Sequence, residues 1–517
     1  MNGFDRASKL RSHLICRGLT RLISYLTKFT AESLSMKHFL TSLFVLCGMS
    51  VVLAQKPSIP GRSINIRLTP LKNTTVYLGS YYGSTLALFD SAVLNDKSEG
   101  VFKAPVKLTG GIYFVVTKAP EYAIQFDLLM DNEQQFSISG DTALKDKAVI
   151  SGSLENDLYD RYKKFSAAEA KRMQVIDAEF IAKKTKVKED TVQIRKQYVK
   201  LDKDLQHYRD SIIEKFPATL LASLFATLKR PTVPEIPIVK GKPDSLYPYH
   251  FVKGHYWDDV DFSDDRILHT SFFEPKLDDY FKYYISIEAD SIIKEVNYIL
   301  LAAKPGKEIY PYLLNKFTKQ YMNPQYMGQD KVFVFLFENF YAKGDTSLLD
   351  APNKKIVSER AYNLMANQIG VAAANMNFPD TSGKIVPLYS LNNTFTVVAF
   401  WDPTCGHCKI EIPRLDSMYR AKWKAMGVGI YAVNINEPEF KSWKAFISAN
   451  KLTGWIHTHE SAAAHIAVEK AKQMNFRQAY DIYKTPTFYL LDKDKRIIAK
   501  QLTMEQFDEV MKLKLKK

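Results

Sequence analysis

Between Ser63 and Ile150 apolar and polar positions alternate in short runs, SINIRLTPL, TTVYLGSYYG, GVFKAPVKL, GGIYFVVTK, YAIQFDLLMD and QQFSISGD. Polar or glycine-bearing turns separate them at intervals of about ten residues. A period of two buries one face of each strand, so residues 60–152 are predicted to form an antiparallel β-sandwich. Around Ser151 to Asn156 the period lengthens to that of a helix, and residues 153–370 are predicted as a helical domain. Tyr198, Leu201, Leu205, Tyr208 and Ile212 fall at three- and four-residue steps and share one helix face that must bury against a neighbour. The seam lasts only about two heptads, which fits a hairpin inside the domain better than a dimerising coiled coil. Residues 231–270 are rich in proline and carboxylates and read as irregular, after which helical periodicity returns, most clearly in FKYYISIEADSIIKEVNYILLAAK and VFVFLFENFYAKG.

A third pattern fills residues 371–517. The hairpin MNFPDTSGKIVPLYSL precedes an apolar, β-branched strand at Thr396 to Phe400, a helix to about Met426 and a buried strand GVGIYAVNI. Helices from Glu437 to Lys451 and around Ala462 to Tyr480 follow, then strands FYLLD and RIIAKQL and a terminal helix from Met504. Strands that alternate with helices and close on a hairpin predict a mixed α/β sheet covered on both faces. The fold class is therefore multidomain: a sandwich, a helical middle and a C-terminal α/β domain.

At Met36 the chain changes character again. A short basic stretch leads into FLTSLFVLCGMSVVLA, a hydrophobic core ending in a small residue before Gln55. Residues 36–54 read as a secretory signal peptide, with residues 1–35 an extension upstream of the expected start. An uncleaved membrane anchor is the rival reading, and Gly48 and Ser50 break the apolar run against it. A lipid attachment at Cys47 is disfavoured by Leu46, where a small residue is expected.

The formal charge of +15 changes the picture little, because residues 1–54 carry seven Lys/Arg against two Asp/Glu and their removal leaves 64 against 54. No RNP-like, zinc-finger or phosphate-loop pattern accompanies the abundant Tyr and Phe, so nucleic acid is not an expected partner. His250, His255, Asp258, Asp259, Asp261, Asp264, Asp265 and His269 lack helical or hairpin ligand spacing, and read as a solvated loop with helix caps rather than a metal site.

Candidate chemistry concentrates in TFTVVAFWDPTCGHCKIEIP, Thr394 to Pro413. Strand, tight turn and helix start place two thiols at a helix N-terminus, where backbone N–H groups favour thiolate. Cys405 is the better placed nucleophile, and Cys408, one helical turn further in, is positioned to resolve a mixed disulfide. The other two cysteines, Cys16 and Cys47, lie in the segment expected to be removed. An exported chain would then hold no thiol able to mispair with this one redox-active pair. Structural zinc needs two further ligands, and no second knuckle exists.

These last residues resemble the thioredoxin fold, and more closely its TlpA-like extracytoplasmic thiol-disulfide oxidoreductases. The resemblance rests on Phe400-Trp401, Cys405-Gly406-His407-Cys408, Glu411-Ile412-Pro413 and Thr485-Pro486-Thr487 before FYLLDKDKRII. The sandwich and helical parts resemble, more loosely, two uncharacterised domains of envelope proteins. The resemblance implies a catalytic Cys405 and Cys408, a cis bond before Pro486, and a Thr485 backbone beside Cys405 that, with Trp401 and Pro486, meets an extended substrate peptide. Pro413 would kink the active-site helix. Glu411 matches a family carboxylate that handles the proton of Cys408, or else is only a first-turn helix carboxylate. Thioredoxin itself has a buried Asp where this chain has Ala399.

His407 stands between the cysteines, where a positive imidazole stabilises the Cys405 thiolate and makes the disulfide more oxidising. The same tetrad occurs in protein disulfide isomerase, at about −180 mV against about −270 mV for thioredoxin. The expected protein is thus a periplasmic or cell-envelope thiol-disulfide oxidoreductase without metal or nucleotide cofactor. Its partners are protein thiols and disulfides and an upstream redox partner, with membrane contact only through an uncleaved leader. Two alternatives stand beside it: a binding or scaffold protein with an auxiliary redox module, and a peroxidase-like member of the fold, which the missing Pro-x-x-x-Thr-x-x-Cys arrangement disfavours.

Overall fold

The computed structural model describes residues 61–118, 122–144, 148–182 and 188–516. The expected leader at 36–54 and the stretch before it, with Cys16 and Cys47, lie outside the described residues.

Strands β1 (Arg62–Thr69), β2 (Thr75–Tyr82), β3 (Thr85–Val93), β4 (Glu99–Ala104), β5 (Gly111–Thr117), β6 (Ala123–Met130), β7 (Gln135–Asp141) and β8 (Val149–Ser151) form two four-stranded sheets, ordered β4-β1-β7-β8 and β3-β2-β5-β6. Alternate side chains of both, among them Ile64, Leu78, Tyr113, Leu128 and Ile138, meet in one apolar core. The sandwich differs from the antiparallel expectation at one pairing, since β1 and β7 run parallel with Ile64 opposite Phe136. The chain crosses between sheets before β7 returns, and such a long connection permits a parallel neighbour.

Helices α1 (Leu154–Ala182) and α2 (Lys188–Lys215) make a hairpin. Leu201 and Ile212 are buried, Tyr208 stacks on Phe165 with ring centroids 4.5 Å apart, and the Tyr198 hydroxyl donates to Asp177. Next come α3 (Leu220–Leu228), the short pair β9 (Ile238–Val239) and β10 (Lys242–Pro243), and α4 (Tyr247–Gly254). Helix α4 departs from the irregular expectation, because Pro248 lies in its first turn, where a missing N–H costs nothing. Helices α5 (Phe273–Tyr283), α6 (Ala289–Ala303), α7 (Ile309–Met322), α8 (Asp330–Asn339) and α9 (Ala351–Met365) enclose a core including Leu277, Val296, Leu313, Phe333 and Leu364.

In the carboxylate-rich stretch, Asp265 accepts from the amides of Lys307, Glu308 and Ile309 at 2.9 to 3.1 Å and so caps α7. His269 is not solvated as expected. It is buried and meets the Glu308 carboxylate at 3.1 Å.

The remaining chain builds a hairpin of β11 (Asn377–Pro379) and β12 (Ile385–Pro387), then β13 (Phe395–Trp401), α10 (Gly406–Met418), β14 (Val428–Asn434), α11 (Phe440–Ala449), β15 (Ile456–His459), α12 (Ala462–Lys470), α13 (Phe476–Ala479), β16 (Thr487–Asp492), β17 (Ile497–Lys500) and α14 (Met504–Leu515). Five strands order as β15-β14-β13-β16-β17. One face is covered by Leu415, Trp443 and Phe507, the other by Phe378, Phe476 and Tyr480. Every residue of β13 is buried, as expected of a central strand covered on both sides. No helix among the described residues is long and apolar enough to cross a membrane.

Candidate active site

Register alone brings the site together. Strand β13 runs parallel to β14 with Trp401 opposite Asn434, and antiparallel to β16 with Phe400 opposite Thr487. The turn after β13, the turn after β14 and the residues just before β16 therefore meet at one edge of the sheet. Into that edge Cys405 projects as the residue preceding α10, with extended φ −69° and ψ 126°.

The turn is built on Asp402. Its Oδ1 accepts from the amide and the hydroxyl of Thr404, both at 2.7 Å, and its Oδ2 accepts from Asn436 at 3.0 Å. Burial raises the Asp402 carboxyl, but these bonds together with the Cys405 amide outweigh it and hold the group below its ordinary value. An Asp followed two residues later by a Thr hydroxyl is a recognisable turn signal. Asp402 and Asn436 were nevertheless absent from the sequence-derived set, since nothing local marks Asn436 as a neighbour of the turn.

Two sulfurs one helical turn apart occupy different environments. Cys405 is part-exposed, Cys408 is 0% exposed, and both are free thiols. The Thr485 side chain is the largest influence lowering the Cys405 thiol; burial opposes it, and the amides of Cys408 and His407 at the helix start add to the lowering. Thr485 acts in two senses, because its main-chain carbonyl lies 3.5 Å from Cys405 Sγ and accepts from the protonated thiol. The net direction is downward. Cys408 is pushed up to about 12, by burial first, with the Asp402 amide at 3.5 Å offsetting part of it. It shares its apolar cluster with Ala399, Trp401 and Ile412. The peptide bond before Pro486 is cis.

The structure separates the other sequence-predicted residues. His407 is exposed, and its main-chain amide, rather than its imidazole, is what reaches Cys405. Glu411 pairs with Arg414 at 3.3 Å, and Arg414 also bonds Glu505. Among the described residues no hydrogen bond joins Glu411 to either sulfur. Trp401, read from the sequence as meeting substrate, is 0% exposed and packs on Phe446 with centroids 5.2 Å apart. A side chain wholly covered by the core supports the turn from beneath and offers substrate no surface. Pro413 lies inside α10.

Residues 369–500 match the AhpC/TSA family. The C-terminal module is a thioredoxin-like AhpC/TSA domain. Residues 181–366 match a domain of unknown function, DUF5106, which precedes it. Among curated proteins, the thiol-disulfide oxidoreductase ResA of Bacillus thuringiensis subsp. konkukian is 27% identical over 148 residues, 28% of this chain and 78% of its own. ResA of Bacillus cereus strain ZK is 29% identical over 144 residues, 27% of this chain and 75% of its own. A solved thioredoxin-like protein from Bacteroides caccae is 21% identical, covering 55% of this chain and 99% of its own, with a TM-score of 0.42. By its AhpC/TSA match and its ResA relatives the module is thiol-disulfide oxidoreductase-like, with no direction of electron flow attached.

Within this AhpC/TSA module the Thr485 hydroxyl has a measurable consequence. Thr485→Val keeps the shape and removes the donor, and is expected to raise the Cys405 thiol by about one unit, tenfold in the thiolate equilibrium. Thiolate absorbance titration of the full chain reads this directly. An unmoved titration would assign the acidity to the helix start alone.

Proposed function

We propose that the chain is an exported thiol-disulfide oxidoreductase that exchanges disulfides with protein substrates through Cys405 and Cys408. The observation that carries this reading is the asymmetry of the pair, one thiol accessible and acidified, its neighbour buried and pushed up to about 12. Such a pair divides attack and release between two sulfurs.

The Cys405 thiolate attacks one sulfur of a substrate disulfide. The substrate S–S bond breaks, a mixed disulfide forms, and the leaving thiolate takes a proton from solvent. Cys408 then gives up its proton and attacks Cys405 Sγ, releasing the second substrate thiolate and closing the Cys405–Cys408 disulfide. Two electrons pass from the protein dithiol to the substrate. Run backwards, the same atoms oxidise a substrate dithiol, and the direction is set by the redox partner that recharges the pair. Thr485 and Pro486 line the approach to Cys405, where an extended peptide meets the main chain ahead of β16. Glu411, tied to Arg414, is in this reading a carboxylate near the helix start rather than the proton carrier for Cys408. The leader-like residues 36–54 and the lack of other thiols after them support an oxidising, extracytoplasmic compartment.

Equilibration of the full chain in glutathione buffers tests the reading. The pair is expected to titrate as one two-electron couple at a potential above thioredoxin's about −270 mV, because a favoured thiolate stabilises the reduced form. A pair that fails to exchange with glutathione would sink the proposal, and a potential at or below thioredoxin's would remove the oxidising character ascribed to the tetrad.

A further inference from the structure

The segment that presents Thr485 to Cys405 is held from the other side by the helical region. Asp481, four residues before Thr485, adopts a left-handed conformation at φ 50° and is 3% exposed. Its carboxylate receives the guanidinium of Arg360 from α9, while its second oxygen has no partner among the described residues. Arg360 is itself fixed, donating to the Met322 carbonyl at 3.2 and 3.3 Å and to Asn323 Oδ1 at 3.1 Å at the end of α7. Its guanidinium also lies 5.0 Å from the Tyr483 ring centroid. Asn363, three positions further along α9, reaches the Tyr483 hydroxyl at 3.4 Å, and Asn367, just past the end of the helix, donates to the Ala479 carbonyl at 3.1 Å.

A short Asp in a left-handed turn, buried and paired between the C-terminal module and helix α9, is an odd element to place in a plain connector. Its effect is to remove freedom from the residues that follow, and those residues are the ones facing the sulfur. We propose that Arg360 is a positioning residue for the exchange site: through Asp481 it fixes the segment that carries Thr485 against Cys405. The helical region then sets the chemistry of a thiol it does not touch. This rests on the exchange reading for its biological meaning, though not for its test.

The test uses the full chain, with Cys405 thiolate absorbance as the readout. Arg360→Gln is expected to raise the Cys405 titration by about one unit, toward a free thiol. Arg360→Lys, which keeps the charge and loses the fork, raises it about half as far. In a Thr485→Val background Arg360→Gln adds no further shift, because the hydroxyl whose placement it controls is gone. A folded Arg360→Gln chain with the wild-type titration, or an additive shift in the double variant, overturns the proposal. Should the glutamine variant not fold, since it strands a buried carboxylate, an unmoved titration in Arg360→Lys overturns it equally. The titration does not depend on substrate exchange, so a chain that fails with glutathione but shows these shifts would separate the two claims.

Discussion

Cys408→Ala is expected to convert a transient mixed disulfide into an accumulating one, while Cys405→Ser abolishes it. The two sulfurs differ in what they can do at neutral pH. Cys405, held below the ordinary thiol value by Thr485 and the helix-start amides, is the sulfur that attacks. Cys408, pushed up to about 12, carries thiolate in only on the order of one part in 10⁵ at pH 7. Part of that elevation comes from the neighbouring Cys405 charge, which disappears once Cys405 is bonded to substrate, so release is easier in the mixed disulfide than in the free dithiol. The sign of the pH dependence follows. Attack persists below the pH at which a free thiol fails, whereas release continues to accelerate as pH rises. Exchange by Cys405→Ser should fall on the order of a thousandfold or further, the scale seen when an essential nucleophile is removed. Non-reducing gels after substrate addition, followed by identification of the trapped partner, provide the measurement. If Cys405→Ser captured the same partners as Cys408→Ala, capture would be docking and not covalent exchange.

Much of this site is legible in the sequence. The strand, the turn and the helix start follow from an apolar run stopped by Asp402-Pro403, and the two thiols mark the turn. What pattern could not supply was register. That Thr485 sits against Cys405, its carbonyl 3.5 Å from the sulfur, and that Asn436 braces Asp402 depends on β14 and β16 flanking β13, a property of the assembled sheet. The same limit explains Trp401. An aromatic beside the cysteines reads equally as surface or core, and only its place on a strand covered on both faces decides. In the sandwich, six of the eight strands are visible as alternating runs; β3 is not, because its edge position leaves partly exposed residues on both faces and blurs the period, and the three residues of β8 are too few to show one. Strand β15, four residues long with two histidines, carries too few positions to show a period at all. His407 carries a contribution that its side chain could not announce: its backbone amide reaches the Cys405 sulfur.

Lys500→Met is expected to cost about 3–5 kcal/mol of stability, the usual range when one partner of a buried ion pair is removed. Lys500 closes β17 and is only 5% exposed, and its ammonium meets Asp330 Oδ2 and Asn367 Oδ1, each at 2.6 Å. Asp330 opens α8 and also accepts from Gln368 at 2.8 Å, so the pair ties the sheet of the C-terminal module to two places in the helical region. With the lysine gone, Asp330 keeps Gln368 but loses its counter-charge, and a lone carboxylate in that setting is what the protein must pay for. Replacing both, Asp330→Asn with Lys500→Met, should recover most of the loss, since the desolvated charge is then absent altogether. Urea unfolding followed by tryptophan fluorescence measures all three variants, and two separated transitions in Lys500→Met would show the C-terminal module unfolding independently of the helices. A Lys500→Met chain as stable as wild type would mean that Asp330 finds water or another donor there. Because Asn367 also bonds the Ala479 carbonyl ahead of Asp481, the same substitution reports whether stability and Cys405 acidity are coupled. Arg360 remains in place in this variant, so the titration should stay near wild type even as the interface weakens.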